Sequence, residues 1–145
     1  MKTILLVIAT WGTITLLACS GQKVSKATDT VNPNGDSELA ILMREMFDDG
    51  MEMKKAIEKG KLPESHINVE ELFTAEGTEP EKVASEQYKA YSRVYEASFN
   101  ALQAAETEEE AQTAYTSLVN TCVTCHKAMC PGPITRIKKM ELSTD

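Results

Sequence analysis

The run Cys122-Val123-Thr124-Cys125-His126 stands five residues before Pro131-Gly132-Pro133, near the end of a 145-residue chain. On a helix both thiols fall on one face, with the imidazole beside them. Two thiols one turn apart, with a histidine next in sequence, form the C-x-x-C-H signature of covalent c-type haem attachment. The thiols add across the two vinyl groups of one porphyrin edge, and the imidazole reaches the iron as proximal ligand. The run occurs once, so one covalently attached haem c per chain is expected, held by Cys122, Cys125 and His126. A chain that carries it must leave a flat macrocycle room between its elements.

The other end of the sequence bears on the compartment. Lys2 precedes an apolar stretch from Ile4 to Leu17, too short for a comfortable membrane span, and Leu16-Leu17-Ala18-Cys19 has the pattern of a bacterial lipobox. Residues 1–18 are therefore expected to be a lipoprotein signal peptide, with lipid on Cys19 as the first mature residue, an uncleaved anchor being the alternative; either way the globular part is exported. Covalent haem attachment in bacteria also takes place outside the cytoplasm. Two motifs a hundred residues apart thus agree on the periplasmic side of a bacterial membrane. Residues 20–36 lack apolar periodicity and are rich in Ser, Thr, Asn, Gly and Asp, the composition of a tether. Residues 19–36 would hold a folded domain off the bilayer at a mean reach of roughly 20–25 Å.

The net charge is −7, and −8 once Lys2 leaves with the signal. That balance disfavours nucleic acid as a partner. An acidic surface is compatible with a basic redox protein partner, and equally with an ordinary solvated exterior. What remains after the tether has the length of one domain.

Helical periodicity dominates that domain. A helix is expected from Ser37, as N-cap, to Gly60, with Leu39, Leu42, Met43, Met46, Met53 and Ile57 on one stripe. Residues 61–80 are punctuated by Pro63, Gly77 and Pro80 and support only a short helix around 68–75. A long helix follows over 81–105, with Ala84, Tyr88, Tyr91, Tyr95, Phe99 and Leu102 at three- and four-residue spacing. Thr107 and Glu110 form a capping-box pattern for a last long helix to about Met129, and Pro131 ends it. Ala111, Tyr115, Leu118, Cys122, Cys125 and Met129 trace its apolar face. No strand-like alternation of any length is present.

An antiparallel helical bundle with its only C-x-x-C-H on the last helix resembles the class II c-type cytochromes, the cytochrome c-prime family. The likeness spans residues 37–130, leaving 131–145 as a C-terminal extension. It implies an all-α fold of the four-helix type, with a second helix shortened to what residues 63–77 allow. It also implies Cys122 and Cys125 as thioether positions and His126 as the proximal ligand. In that family the first helix covers the distal side of the haem. An apolar residue facing the iron there leaves it five-coordinate and open to nitric oxide or carbon monoxide, whereas a methionine closes the site and makes an electron carrier. Met46, at the centre of the apolar stripe, is the first candidate, with Gly50 one turn on to leave room for the porphyrin. Met43 is the second. Met53 would be the neighbour only if first and last helices ran parallel, and the twenty residues from 61 to 80 are enough to make them antiparallel. His66, in polar surroundings, reads as a surface residue.

Cys130 is left without an internal partner, as a free thiol or as half of an intermolecular disulfide that would make a homodimer. A Cys3His zinc site is disfavoured because His126 directly follows Cys125 on a helix. A thioredoxin-like disulfide is disfavoured because the motif lies far from a helix N-terminus. Residues 134–140 repeat apolar positions three apart with Arg136, Lys138 and Lys139 between them, and either fold back over the haem edge or form a short solvated helix. Nothing resembles a hydrolytic triad, a phosphate loop or a paired-carboxylate site. The sequence thus points to a membrane-tethered monohaem electron carrier rather than an enzyme. A five-coordinate gas-binding haem protein is the alternative, and a haem-free interaction lipoprotein a distant third.

Overall fold

The computed structural model describes residues 37–143, and every regular element among them is helical. The expected lipidation site Cys19, signal peptide and tether lie outside the described residues. Helix α1 spans Glu38–Ile57. The Ser37 side chain accepts a hydrogen bond from Ala40 N, Glu38 sits in the first turn, and Lys54 and Lys55 sit in the last, each end complementing the helix dipole. Leu42, Met46, Gly50, Met53 and Ile57 form its buried face. The helix stops three residues before its expected end, and Gly60, at φ 67°, supplies the left-handed turn that reverses the chain.

The return segment runs back along α1. The Asp49 carboxylate accepts from the Ser65 hydroxyl at 2.6 Å and from His66 N at 3.3 Å. The expected short helix is a 3₁₀ turn over Val69–Phe73, capped by Asn68 and anchored by buried Leu72. The expected single helix over 81–105 is broken in two. Helix α2, Pro80–Val83, lasts one turn, and α3, Glu86–Gln103, begins afresh because Ser85 both donates to Lys82 O and accepts from Tyr88 N. The expected capping box is present: Thr107 Oγ1 accepts from Glu110 N, and the Glu110 carboxylate accepts from Thr107 N. It opens α4, Glu108–Met129.

Helices α3 and α4 form an antiparallel hairpin, and α1 also runs antiparallel to α4. Gly60, past the end of α1, lies against the Glu108 carboxylate at the start of α4, and the Tyr115 hydroxyl donates to Gly50 O at 2.8 Å. Tyr115, Met53, Ile57, Leu102 and Leu118 are wholly enclosed between the three long helices. Each such side chain contributes about 1.5–3 kcal/mol on transfer from water. After Pro131 the chain turns back as α5, Ile134–Ile137, and a 3₁₀ turn, Lys138–Met140. Ile137 and Met140 are buried, so this extension packs on the bundle rather than standing in solvent. No helix among the described residues is long and apolar enough to cross a membrane.

Candidate functional site

The last two turns of α4 carry Cys122, Cys125 and His126, all half-buried. Tyr95, on α3, lies near Cys122, and Tyr88 lies near Cys125. Burial pushes the Cys122 thiol up to about 12, with Cys125 adding to the rise. Burial likewise pushes Cys125 up to about 11, helped by Cys130. Both are therefore neutral thiols near pH 7, the reverse of the lowered thiolate of a thioredoxin-type nucleophile.

His126 is held by the way its helix ends. Cys130 N donates to His126 O at 3.0 Å, closing the last turn. Pro131 cannot extend it. Cys130 takes an extended conformation, φ −155° and ψ 81°, and its own carbonyl oxygen lies 2.9 Å from His126 Nδ1. A carbonyl only accepts, so Nδ1 carries the proton and the lone pair is on Nε2. Burial lowers the His126 pKa, against the opposing effect of that hydrogen bond, and so favours the neutral ring that can ligate.

A c-type haem needs one imidazole with a free Nε2 and two thiols on the same helical face. Cys122, Cys125 and His126 meet that requirement, and the second ring nitrogen is anchored as metal-bound imidazoles generally are. A protein-only metal cage would need more convergent donors. Among the described residues no three His, Cys, Asp or Glu side chains are grouped to hold a metal ion.

The antiparallel register brings the first half of α1 toward the Cys122 end of α4. Met46 is buried on the α1 stripe, and Met43, half-buried, packs against the same core. Met53 lies on the Glu108 side of Gly50. His66 is exposed, as its polar surroundings suggested. The space beside Gly50 differs from expectation: a β-carbon there would meet the terminal methyl of Met140, so Gly50 seats the C-terminal extension rather than leaving a gap.

Three participants escaped the sequence reading. The Cys130 carbonyl was legible in principle, as the residue four after a histidine and directly before a proline. Met140 was not, since its seat on Gly50 joins residues ninety apart. Val119, buried beside Leu118, fell outside the expected stripe. On the opposite face of α4, Thr113, Thr116, Ser117, Asn120 and Thr124 line an open groove of about 460 Å³ with Tyr91 and Val94 of α3. It turns away from Cys122 and His126. No family model, curated protein or solved structure matches the chain.

Proposed function

We propose that this protein is a membrane-tethered, monohaem c-type cytochrome that carries electrons on the periplasmic side of a bacterial membrane, of the class II, cytochrome c-prime kind. The observation that carries the reading is the His126 Nδ1 to Cys130 O hydrogen bond at 2.9 Å, which fixes the tautomer with Nε2 free beside two thiols on one face. Bound haem would supply the one-electron chemistry. Cys122 and Cys125 would tether it, and His126 would hold its iron from the α4 side. Met46, or else Met43, would close the side toward α1, which makes the protein a carrier rather than an enzyme. The all-helical fold, with a 3₁₀ turn in place of a long second helix, supports a shortened four-helix bundle.

Lipid on Cys19 would anchor the chain to the membrane, and the tether would let the domain reach a redox protein partner. The acidic charge supports a basic partner and disfavours nucleic acid. Cys130 is half-buried and would need to reorient to join two copies.

Haem staining of the purified protein after denaturing electrophoresis, with a visible spectrum of the native form, tests the assignment. A stained band with a low-spin spectrum is expected. A stained band that is high-spin and binds carbon monoxide readily would replace the carrier with the gas-binding alternative, and no stain would remove both. Fractionation of cells expressing Cys19→Ala tests the anchor. The variant should leave the membrane fraction, and retention at the wild-type level would refute lipidation.

A further inference from the structure

The C-terminal extension does more than cover the bundle. Residues 136–143 run beside α1 for three turns and touch it at each. The Arg136 guanidinium stacks on the Phe47 ring, 4.3 Å from its centre, and lies 3.6 Å from Asp48. Met140 occupies the seat at Gly50. Lys54 Nζ donates to Lys139 O at 3.2 Å and to Glu141 O. Ser143 Oγ donates to the Glu58 carboxylate at 3.0 Å. Helix α4 grips the same segment from the other side, where the Tyr115 hydroxyl shares its proton between Gly50 O and Met140 O at 2.8 and 2.9 Å. One phenol therefore ties the extension, α1 and α4 at a single point. The extension follows directly on Cys130, whose carbonyl orients His126, and its described part ends on α1, the helix that carries Met43 and Met46.

We infer that residues 134–143 are a positioning strap: seated through Met140 on Gly50, they set how closely α1 stands to α4, and thereby whether an α1 methionine reaches the iron held by His126. This rests on the haem reading above. Met140 and Gly50 act in this scheme through the placement of α1, as positioning residues. Packing decides the distance, because the end of the Met140 side chain fills the space beside Gly50, and a residue there too large for Met140 to swing clear of excludes it. With the strap lifted, Met43 and Met46 would stand farther from His126 and would leave the side toward α1 open to small gases.

The test uses the full-length holoprotein. Gly50→Ala is too mild, since the terminal methyl of Met140 can swing aside. Gly50→Leu fills the seat and should expel the strap. Gly50→Leu with Met140→Ala exchanges similar volumes and should let it return. Hydrogen exchange is expected to be at least about tenfold faster across α1 in Gly50→Leu, with the α3–α4 hairpin protected, and to return toward wild type in the double variant. Carbon monoxide association with the ferrous protein should rise by about tenfold or more and fall back in the same double variant. Met140→Ala alone, which empties the seat without blocking it, should move both readouts the same way by less.

Unchanged α1 exchange in Gly50→Leu would overturn the proposal. So would exchange that the double variant fails to restore, or an α1 that loosens while gas binding stays as in wild type. If the wild-type protein carried no covalent haem, the reading of the site would fall instead. The exchange measurements would then decide by themselves whether the strap holds α1.

Discussion

His126 Nδ1 and the carbonyl oxygen of Cys130, 2.9 Å apart, are joined twice, because Cys130 N also donates to His126 O at 3.0 Å. The pairing depends on Cys130 leaving helical geometry, and Pro131 enforces that departure. Pro131→Ala should let α4 run on and swing the Cys130 carbonyl along the helix axis, away from the ring. An imidazole that loses its Nδ1 acceptor donates less electron density and stabilises ferric iron less. The reduction potential of Pro131→Ala should therefore rise above wild type, as read by redox titration with covalent haem retained. A lower or unchanged potential would deny this hydrogen bond its tuning role.

Thiol counting gives an independent check on attachment. With haem on Cys122 and Cys125 and lipid on Cys19, as proposed, the denatured protein should react with a thiol reagent at one position per chain, Cys130, and Cys130→Ser should bring the count to zero. Three reactive thiols would mean that Cys122 and Cys125 carry no haem. In any folded haem-free fraction those two should alkylate slowly at neutral pH, because burial pushes them up to about 12 and about 11. Fast labelling of the native apoprotein would contradict the burial described here.

The capping box at the start of α4 carries a pH signature. Hydrogen bonds from Glu106 N and Thr107 N hold the Glu110 carboxyl below the ordinary glutamate value of 4.5. A lowered folded-state pKa contributes stability that is fully present above that value and is lost as pH falls through the folded one. Glu110→Gln keeps an acceptor for the box but removes the charge. Its melting temperature should lie below wild type at pH 7, and the gap should narrow as pH falls below the ordinary glutamate value. A gap that persists at low pH would mean the loss is steric. Thr107→Ala, which removes the other half of the box, should cost about 1 kcal/mol.

Local signals were the legible part of this fold. Ser37, Thr107 and Glu110 satisfy helix-end donors within four residues of themselves, so both helix starts could be read without knowing what they pack against. The motif face of α4 followed from spacing alone. Ser85 was ambiguous, since apolar periodicity continues through it and only its two hydrogen bonds, to Lys82 O and from Tyr88 N, end one helix and start the next. The seat of Met140 on Gly50 was beyond reach, because a glycine in an apolar stripe announces a close approach but not its partner. The antiparallel relation of α1 and α4 was expected from the twenty residues available for the return, and contacts such as Gly60 with Glu108 carry it.

That relation sharpens the choice of distal ligand. Counting toward the N-terminus of α1 from Gly50, which meets Tyr115, Met46 comes one turn on and Met43 two, both on the side of α4 that leads to Cys122. Met53 lies the other way. Met46 is the more deeply buried of the pair, on the face that closes the core. A thioether sulfur on ferric haem produces a weak far-red absorption and raises the reduction potential over a site that lacks it. Wild type should show the band, and Met46→Ala should lose it, with a lower potential and much faster carbon monoxide binding when reduced. Met43→Ala should keep all three wild-type properties. The reverse pattern would move the ligand one turn along α1 and leave the carrier reading intact, whereas a band that survives in both variants would rule out either methionine.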